Sequence, residues 1–484
     1  MRASEIKKRL QKIISCDIHL EKEFTSFYSV DASSYQIKPL LVIIPNNTKE
    51  ITEIVKFATK NKISVTVRGA GTGLVGSALN SGIIFDMKNF NEIKVAKTDV
   101  TVGPGVQKGV LDKILKSKKK FLGPNPSIGS YCSIGGMIGN NSSGSRTLKY
   151  GSVIDNLKEI SFVDGNGQLI QLPQNKKYAQ KVLEISKKID LKKFPNVSKN
   201  SCGYRLDKIK SIKDTPKIIA GSEGTLGIMV SAKLKIQNIP KQKKLFVIEY
   251  TTENTAAKEC PYIYRLNPSA IEFVDKKTLD NIDFKFSKNA KCLLFVEFDS
   301  NITKSEKLLK KIISGRIVKS IKNDLQIQKW WKYRDSALYY SLKSIKKENR
   351  IPHIIEDATV SLELLPKLFF TIKKINQIFN TDSVFYGHAG NGNIHVRLIA
   401  GRQNPKKLEK IAAKYFDQVI SMGGTITGEH GDGLARSQFV KKQYGNANYI
   451  TFRQLKAFFD PKNILNPDKI ISSKNTVLKN LEKF

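Results

Sequence analysis

Three of the five histidines in this 484-residue chain sit in two short motifs. The first runs Phe385-Tyr386-Gly387-His388-Ala389-Gly390-Asn391-Gly392-Asn393-Ile394-His395-Val396-Arg397. Asn-Gly between apolar runs favours a two-residue type I′ hairpin turn. With Asn391 and Gly392 at its centre, His388 falls directly opposite His395, and Tyr386 opposite Arg397 on the same face. Opposed residues have Cβ atoms about 4.5–5.5 Å apart, close enough for two imidazoles to share one metal ion. The second motif is Thr427-Gly428-Glu429-His430-Gly431-Asp432-Gly433. Its Glu429 would complete a His₂Glu set that leaves a coordination position open for substrate. His430, with free ring nitrogens, suits a general base. Both motifs also have an ordinary reading: cross-strand His pairs serve structure as well as chemistry, and a loop acid beside a His can be unrelated to either.

Such side chains need elements to position them. Residues 40–44 read as a buried strand, Asn47 caps a helix with Glu50 at its third position, and Ile51, Ile54, Val55 and Ala58 make one apolar stripe. Residues 63–67 alternate as a second strand, so the unit is βαβ and part of the sheet is parallel. That strand runs directly into Arg68-Gly69-Ala70-Gly71-Thr72-Gly73-Leu74-Val75-Gly76-Ser77. The G-x-G-x-x-G pattern is literal, but a dinucleotide fold needs a helix at the loop. Asn80-Ser81-Gly82 breaks the chain and residues 83–86 resume a strand, leaving no room for one. What remains is a loop of peptide N–H groups with little Cβ bulk, able to approach a pyrophosphate. Two more glycine-rich segments follow, 123–151 (with Cys132-Ser133-Ile134-Gly135-Gly136) and 221–228 (Gly221-Ser222-Glu223-Gly224-Thr225-Leu226-Gly227-Ile228). The lysine-rich stretch 173–199 reads as an insertion or surface segment between them. Beyond residue 236 the glycine loops stop; strand 292–298 and an amphipathic helix from about 405 to 422 are examples of what replaces them. Four parts are expected: a helical segment 1–34, a domain 35–235, a second domain 236–424 and a C-terminal segment 425–484.

Composition excludes several classes. Apolar residues make up 40% and charged residues 26%, which excludes global disorder. No run approaches the ~18 apolar residues of a membrane span, and residues 1–12 alternate charge with single apolar residues rather than forming a signal-peptide core. A cytoplasmic protein is expected, with the inner face of a membrane as the second location. The five cysteines include no C-x-x-C pair, so reduced buried thiols are expected and an iron–sulfur centre is not. With 82 Lys+Arg against 43 Asp+Glu the formal charge is +39, but the lysines are scattered rather than gathered in a stripe with aromatics. That argues against nucleic acid as partner and leaves compositional bias, an acidic redox partner or an anionic lipid surface.

Read together, the three glycine segments resemble the FAD-binding domain of the vanillyl-alcohol oxidase/p-cresol methylhydroxylase superfamily. The His and Glu motifs, with Phe459-Asp460-Pro461 and Ile464-Leu465-Asn466-Pro467 near the end, are similar to those of its flavin-dependent D-2-hydroxy acid dehydrogenases. That group holds D-lactate, glycolate-oxidase-subunit and D-2-hydroxyglutarate enzymes. The resemblance spans about residues 35–473. It implies an α+β chain: a PCMH-type FAD-binding domain, then a mixed sheet-plus-helix cap domain, with a C-terminal segment returning to the flavin. It implies FAD on Arg68, Gly69, Ala70, Gly71, Thr72, Gly73, Leu74 and Ser77 in the first loop, and since no residue can be assigned a covalent flavin link, non-covalent attachment is expected. Pro124, Cys132, Gly135, Gly136, Asn140, Ser142, Gly144 and Gly151 follow in the second, then Glu223, Gly224, Gly227 and Ile228 in the third, with Asn466 near the end. It implies a divalent metal, zinc by its donor set, on His388, His395 and Glu429, with His430 as base. Arg334 would hold the substrate carboxylate, joined by Arg397.

The reaction implied is oxidation of a D-2-hydroxy acid to the 2-oxo acid by hydride transfer to flavin N5. The electrons then pass to a quinone, a cytochrome, an electron-transfer flavoprotein or a separate iron–sulfur subunit. The alternative within the superfamily is an oxidase of a sugar acid or alcohol. Four positions depart from the group's pattern: Asn391 replaces an Asp, Asp432 an Ile, Arg397 an Asn and Leu338 a Thr. The last two bear on the substrate's identity.

Overall fold

The computed structural model describes residues 1–337, 339, 354–399, 405–472, 474, 475 and 477–481; Leu338 and His353 lie outside them. Asn47 begins the helix Thr48–Asn61, its side-chain oxygen accepting from Glu50 N at 3.0 Å. Glu50 reaches back to Asn46 N (2.8 Å), one residue before the cap. The stripe Ile51, Ile54, Val55 and Ala58 is fully buried against the first sheet, and Lys62 in the left-handed region ends the helix.

Among the described residues there are three sheets. The first has four strands in the order Asp17–His19, Leu41–Ile44, Ile83–Asp86, Val65–Arg68. Ile83–Asp86 lies between its two βαβ neighbours and parallel to both, so residues 69–82 cross over as a loop, with no helix. The first 34 residues, expected as a helical segment, also supply the edge strand Asp17–His19, antiparallel to Leu41–Ile44. In the second sheet, which is antiparallel, the long strand Ile228–Asn238 pairs with Asp99–Val102, Leu157–Val163 and Lys120–Leu122. The third is a seven-stranded antiparallel sheet, ordered Arg316–Ile321, Lys244–Tyr250, Cys292–Phe298, Ala270–Asp275, Asp382–His388, Asn393–Ile399, Ala358–Thr359. Its helices are separate from its strands in the α+β manner.

The halves are joined in three ways. One apolar core runs from Ile134 and Met137 on the glycine-loop side to Ile271 and Phe273 in the third sheet. Arg146 donates from Nε and Nη2 to Glu297, each at 2.7 Å, while Lys149 and Tyr150 both bond Asp299. The chain end also comes home: Val65 N donates to Ile464 O and Asn466 N to Val65 O, both 2.8 Å. All five cysteines are buried and free, and no helix among the described residues is long and apolar enough to cross a membrane.

Candidate active site

Strand Val65–Arg68 delivers the first glycine loop to a cavity of about 430 Å³ that all three glycine segments line. Residues 68–74 and Ser77, then Cys132, Gly135, Gly136, Asn140 and Ser142, then Glu223, Gly224 and Gly227 form its wall. Gly69 is favoured by close approach: a Cβ there would sit 1.9 Å from Ser133 Oγ and push that hydroxyl off its N-cap of Ile134–Gly139. Pro124, Gly144, Gly151, Ile228 and Asn466, expected at the cofactor, are not on the wall. Gly144 instead lets the second segment press on Asn125 O, and Ile228 opens a strand of the second sheet. Asn466 Nδ2 donates to Ser77 O (2.8 Å) and Glu223 O (2.6 Å), tying the first loop to the third. These residues shape the loops from behind. The lining suits a ligand with both an anionic group and apolar parts, because glycine peptide groups and the apolar Met87, Pro104 and Met137 all face the cavity.

The same cavity is also lined by Arg334, Asp335, Tyr386, His388, His395, Glu429 and His430. The hairpin that carries two of them has a longer turn than its sequence predicts. Ala389–Asn391 is a 3₁₀ turn closed by Gly392 at φ 66°, so His388 pairs with Asn393, and Tyr386 with His395. The cause is tertiary. The tip is held by Ser198 Oγ on Asn391 O (2.9 Å) and by Val360 N on Gly392 O (3.1 Å). Moving the register in this way keeps strand parity, so both imidazoles remain on one face as diagonal neighbours, within reach of long side chains. Their ring centroids are 5.2 Å apart, and His430 stacks on His395 at 4.9 Å. Arg397, expected opposite Tyr386, pairs with Val384 and does not line the cavity.

Glu429 closes the group. Its Oε1 lies 2.8 Å from His388 Nε2, 3.2 Å from His395 Nε2 and 4.0 Å from His430 Nε2. Two of the three rings, those of His388 and His430, have a carboxylate bonded behind them. Glu272 Oε1 is 2.8 Å from His388 Nδ1, and Glu272 Oε2 accepts from Arg334 Nε at 2.5 Å. Glu356 Oε1 holds His430 Nδ1 at 2.7 Å and also takes Arg436 Nη2 at 2.7 Å. Asp357 Oδ2 accepts the backbone N–H of Glu429 (2.9 Å) and of His430 (2.8 Å). Behind Glu429 itself is Lys199, fully buried, with Nζ 3.1 Å from Oε2.

Electrostatics follow from these neighbours. Burial alone would raise the Glu429 carboxyl, but His388 and Lys199 outweigh it and hold it well below the usual range. Burial, with the charges of His430 and His388, lowers His395. Burial also opposes the charge on His430, yet Glu356, Asp357 and Glu429 prevail and raise it to about 9.

Comparison with known proteins agrees with this layout. The family described as "FAD linked oxidases, C-terminal domain" matches residues 239–470, and that described as "FAD binding domain" matches residues 39–173. Glycolate oxidase subunit GlcD of Bacillus subtilis is 30% identical over 92% of this chain and 92% of its own length. The chain belongs to the FAD-linked oxidase family. Other members similar to it are a D-2-hydroxyglutarate dehydrogenase of Pantoea ananatis (28% identical, covering 91% of this chain and 49% of that protein) and a mitochondrial D-lactate dehydrogenase [cytochrome] of Arabidopsis thaliana (25%, covering 96% and 80%). The fold is shared with alkyldihydroxyacetonephosphate synthase, at TM-score 0.68 and 18% identity over 96% of this chain and 85% of that one. This FAD-linked oxidase is thus an oxidoreductase with a PCMH-type flavin domain and a C-terminal domain completing the cavity.

Several residues of the site carry no signal in the sequence. Glu272 lies mid-strand, Glu356 and Asp357 precede a two-residue strand, and Ser143 is one serine among several. Lys199 overturns an expectation: the end of the lysine-rich stretch is buried at the centre of the site rather than on the surface. Asp432, a departure from the group's pattern, accepts from Gly203 N (2.7 Å) and Thr427 Oγ1 (3.0 Å), anchoring the Glu429 loop.

Proposed function

We propose that this FAD-linked oxidase oxidises a D-2-hydroxy acid to the 2-oxo acid, and that a divalent metal assists. The observation that carries the reading is the meeting, in one cavity, of the glycine loops with Arg334, His430 and the His388–His395–Glu429 set. The three donors fit a cation: Nδ1 of His388 is committed to Glu272, and Nε2 of both rings converges on one oxygen of Glu429. Two nitrogens and one oxygen suit zinc. When bound, that cation would act as a Lewis acid on the substrate hydroxyl, and FAD would take the hydride from Cα at N5.

The protein's own groups do the rest. Arg334, held in place by Glu272, presents its guanidinium to the substrate carboxylate. His430 accepts the hydroxyl proton at Nε2, because Nδ1 is held by Glu356. Glu429 is among the carboxylates that stabilise the His430 imidazolium, so positive charge placed on Glu429 lowers the proton affinity of His430 and frees it to act as base. Arg397, away from the cavity wall, has no contact with substrate in this scheme. Electrons leave to a separate acceptor, and the +39 charge, where it is more than compositional bias, would suit an acidic partner or an anionic lipid surface.

The test is anaerobic mixing of flavin-loaded protein with a panel of chiral hydroxy acids, sugar acids and alcohols, reading the flavin's visible absorbance. D-2-hydroxy acids should bleach it and a chelator should slow that bleaching. Bleaching by sugar acids or alcohols alone would overturn the reading.

A further inference from the structure

Residues 198–203 form a strap across the two loops that carry the proposed metal ligands. At the hairpin tip, Ser198 Oγ donates to Asn391 O (2.9 Å). On the Glu429 loop, Asn200 Oδ1 accepts from Thr425 Oγ1 (2.9 Å), Ser201 N donates to Thr427 O (2.9 Å) and Gly203 N to Asp432 Oδ2 (2.7 Å). Lys199 is the strap's charged member. It is 0% exposed, with Nζ 3.1 Å from Glu429 Oε2 and 3.5 Å from Asn393 Oδ1, and it does not line the cavity. It therefore acts through Glu429 rather than on a substrate.

The two oxygens of Glu429 have divided roles. Oε1 faces the imidazoles, whereas Oε2 accepts from Ser143 Oγ at 2.5 Å and from Lys199 Nζ at 3.1 Å. A carboxylate with both oxygens free can grip a cation with both, and the second grip would fill the position that a catalytic site keeps for substrate. An ammonium on Oε2 opposes this twice over: it occupies the lone pairs, and its charge repels a second cation approaching from that side. Ser143 occupies the same oxygen without charge. A lysine buried only to cancel Glu429 could sit on either oxygen; this one sits on the oxygen turned away from the histidines.

The geometry points to Lys199 as a positioning residue that restricts Glu429 to one metal-binding oxygen and so keeps a coordination position open for the substrate hydroxyl. This rests on the reading of His388, His395 and Glu429 as a metal site.

The experiment uses flavin-loaded protein carrying cobalt(II), whose visible band weakens as its coordination number rises. Lys199→Met is expected to keep its flavin, hold cobalt about tenfold or more tighter in chelator competition, on the scale set by outer-sphere partners, and show a weakened band that a D-2-hydroxy acid no longer perturbs. Lys199→Arg restores the native spectrum. Ser143→Ala shifts the band in the same direction by less, and serves alone if Lys199→Met does not fold. A native spectrum and affinity in Lys199→Met, or weaker cobalt binding, overturns the role of Lys199; a native spectrum in Ser143→Ala does so if Lys199→Met is lost. Wild-type protein that binds no cobalt, or binds it equally well after His388→Ala, overturns the metal-site reading and this proposal with it.

Discussion

Two of the imidazoles of this site, His388 and His430, and its glutamate hold their orientations through buried partners. His388 is set by Glu272, His430 by Glu356, and Glu429 by Ser143 and Lys199. Buried charges need such partners, because an unpaired one is far more costly than an exposed one. His430 differs from its neighbours in being partly open to the cavity, its side chain 24% exposed against 5% for His388 and His395. It is the group placed to exchange a proton with a ligand. Replacing His430 by Asn keeps the shape of the ring's near half and removes the proposed base. The expected outcome is a fall in kcat of about 10²–10⁴-fold with flavin content unchanged. Full turnover with intact flavin would remove His430 from the mechanism.

At the scale of elements, the hairpin shows local and tertiary preferences in competition. Asn-Gly favours a tight two-residue turn, but the strand Ala358–Thr359, Ser198 and Val360 grip a longer one. Gly392 is the residue that permits it. It has φ 66°, and a Cβ would lie 2.1 Å from Val360 O, a backbone atom that cannot swing aside. Gly392→Ala should therefore cost more than the ~1–2 kcal/mol of left-handed strain alone, measured by urea unfolding. Since the displaced tip carries His388 and His395 with it, a metal held by the proposed site should be lost more readily as well. An alanine variant of unchanged stability would show that the turn adopts some other conformation.

At the scale of the whole molecule, the cavity lies between two halves that must hold a fixed distance. Arg146 from the flavin half and Glu297 from the third sheet form a two-pronged bond, which Trp331 Nε1 and Ser269 Oγ complete at 2.9 Å each. Burial would raise the Glu297 carboxyl, but Arg146 outweighs it and brings it down from 4.5 to about 2. A carboxyl depressed on folding stabilises the native state above its unfolded value and loses that contribution as pH falls through the folded one. The latch should accordingly be fully effective above pH 4.5 and be lost between 4.5 and about 2, taking up to about 3 kcal/mol with it. Denaturant unfolding across that range should steepen for wild type and flatten for Glu297→Gln. Equal slopes would place the acid sensitivity elsewhere.

The sequence by itself determined the chemistry's vocabulary and its strand face. Three glycine segments, two histidines an odd number of residues apart across a turn and a Glu-His pair in a glycine-rich loop were legible because each depends on residue type and short spacing. The histidines stayed on one face despite a longer turn because side chains alternate with a period of two, and the register moved without changing parity. Tertiary structure alone decided which oxygen of Glu429 faces the rings, which carboxylates stand behind them, and that Lys199 is buried among them while Arg397 is kept from the cavity. A lone lysine or mid-strand glutamate has no local pattern, since its partner is fixed by chain segments as far apart as the 230 residues between Lys199 and Glu429. Only the packing of the two halves brings those segments within hydrogen-bond distance.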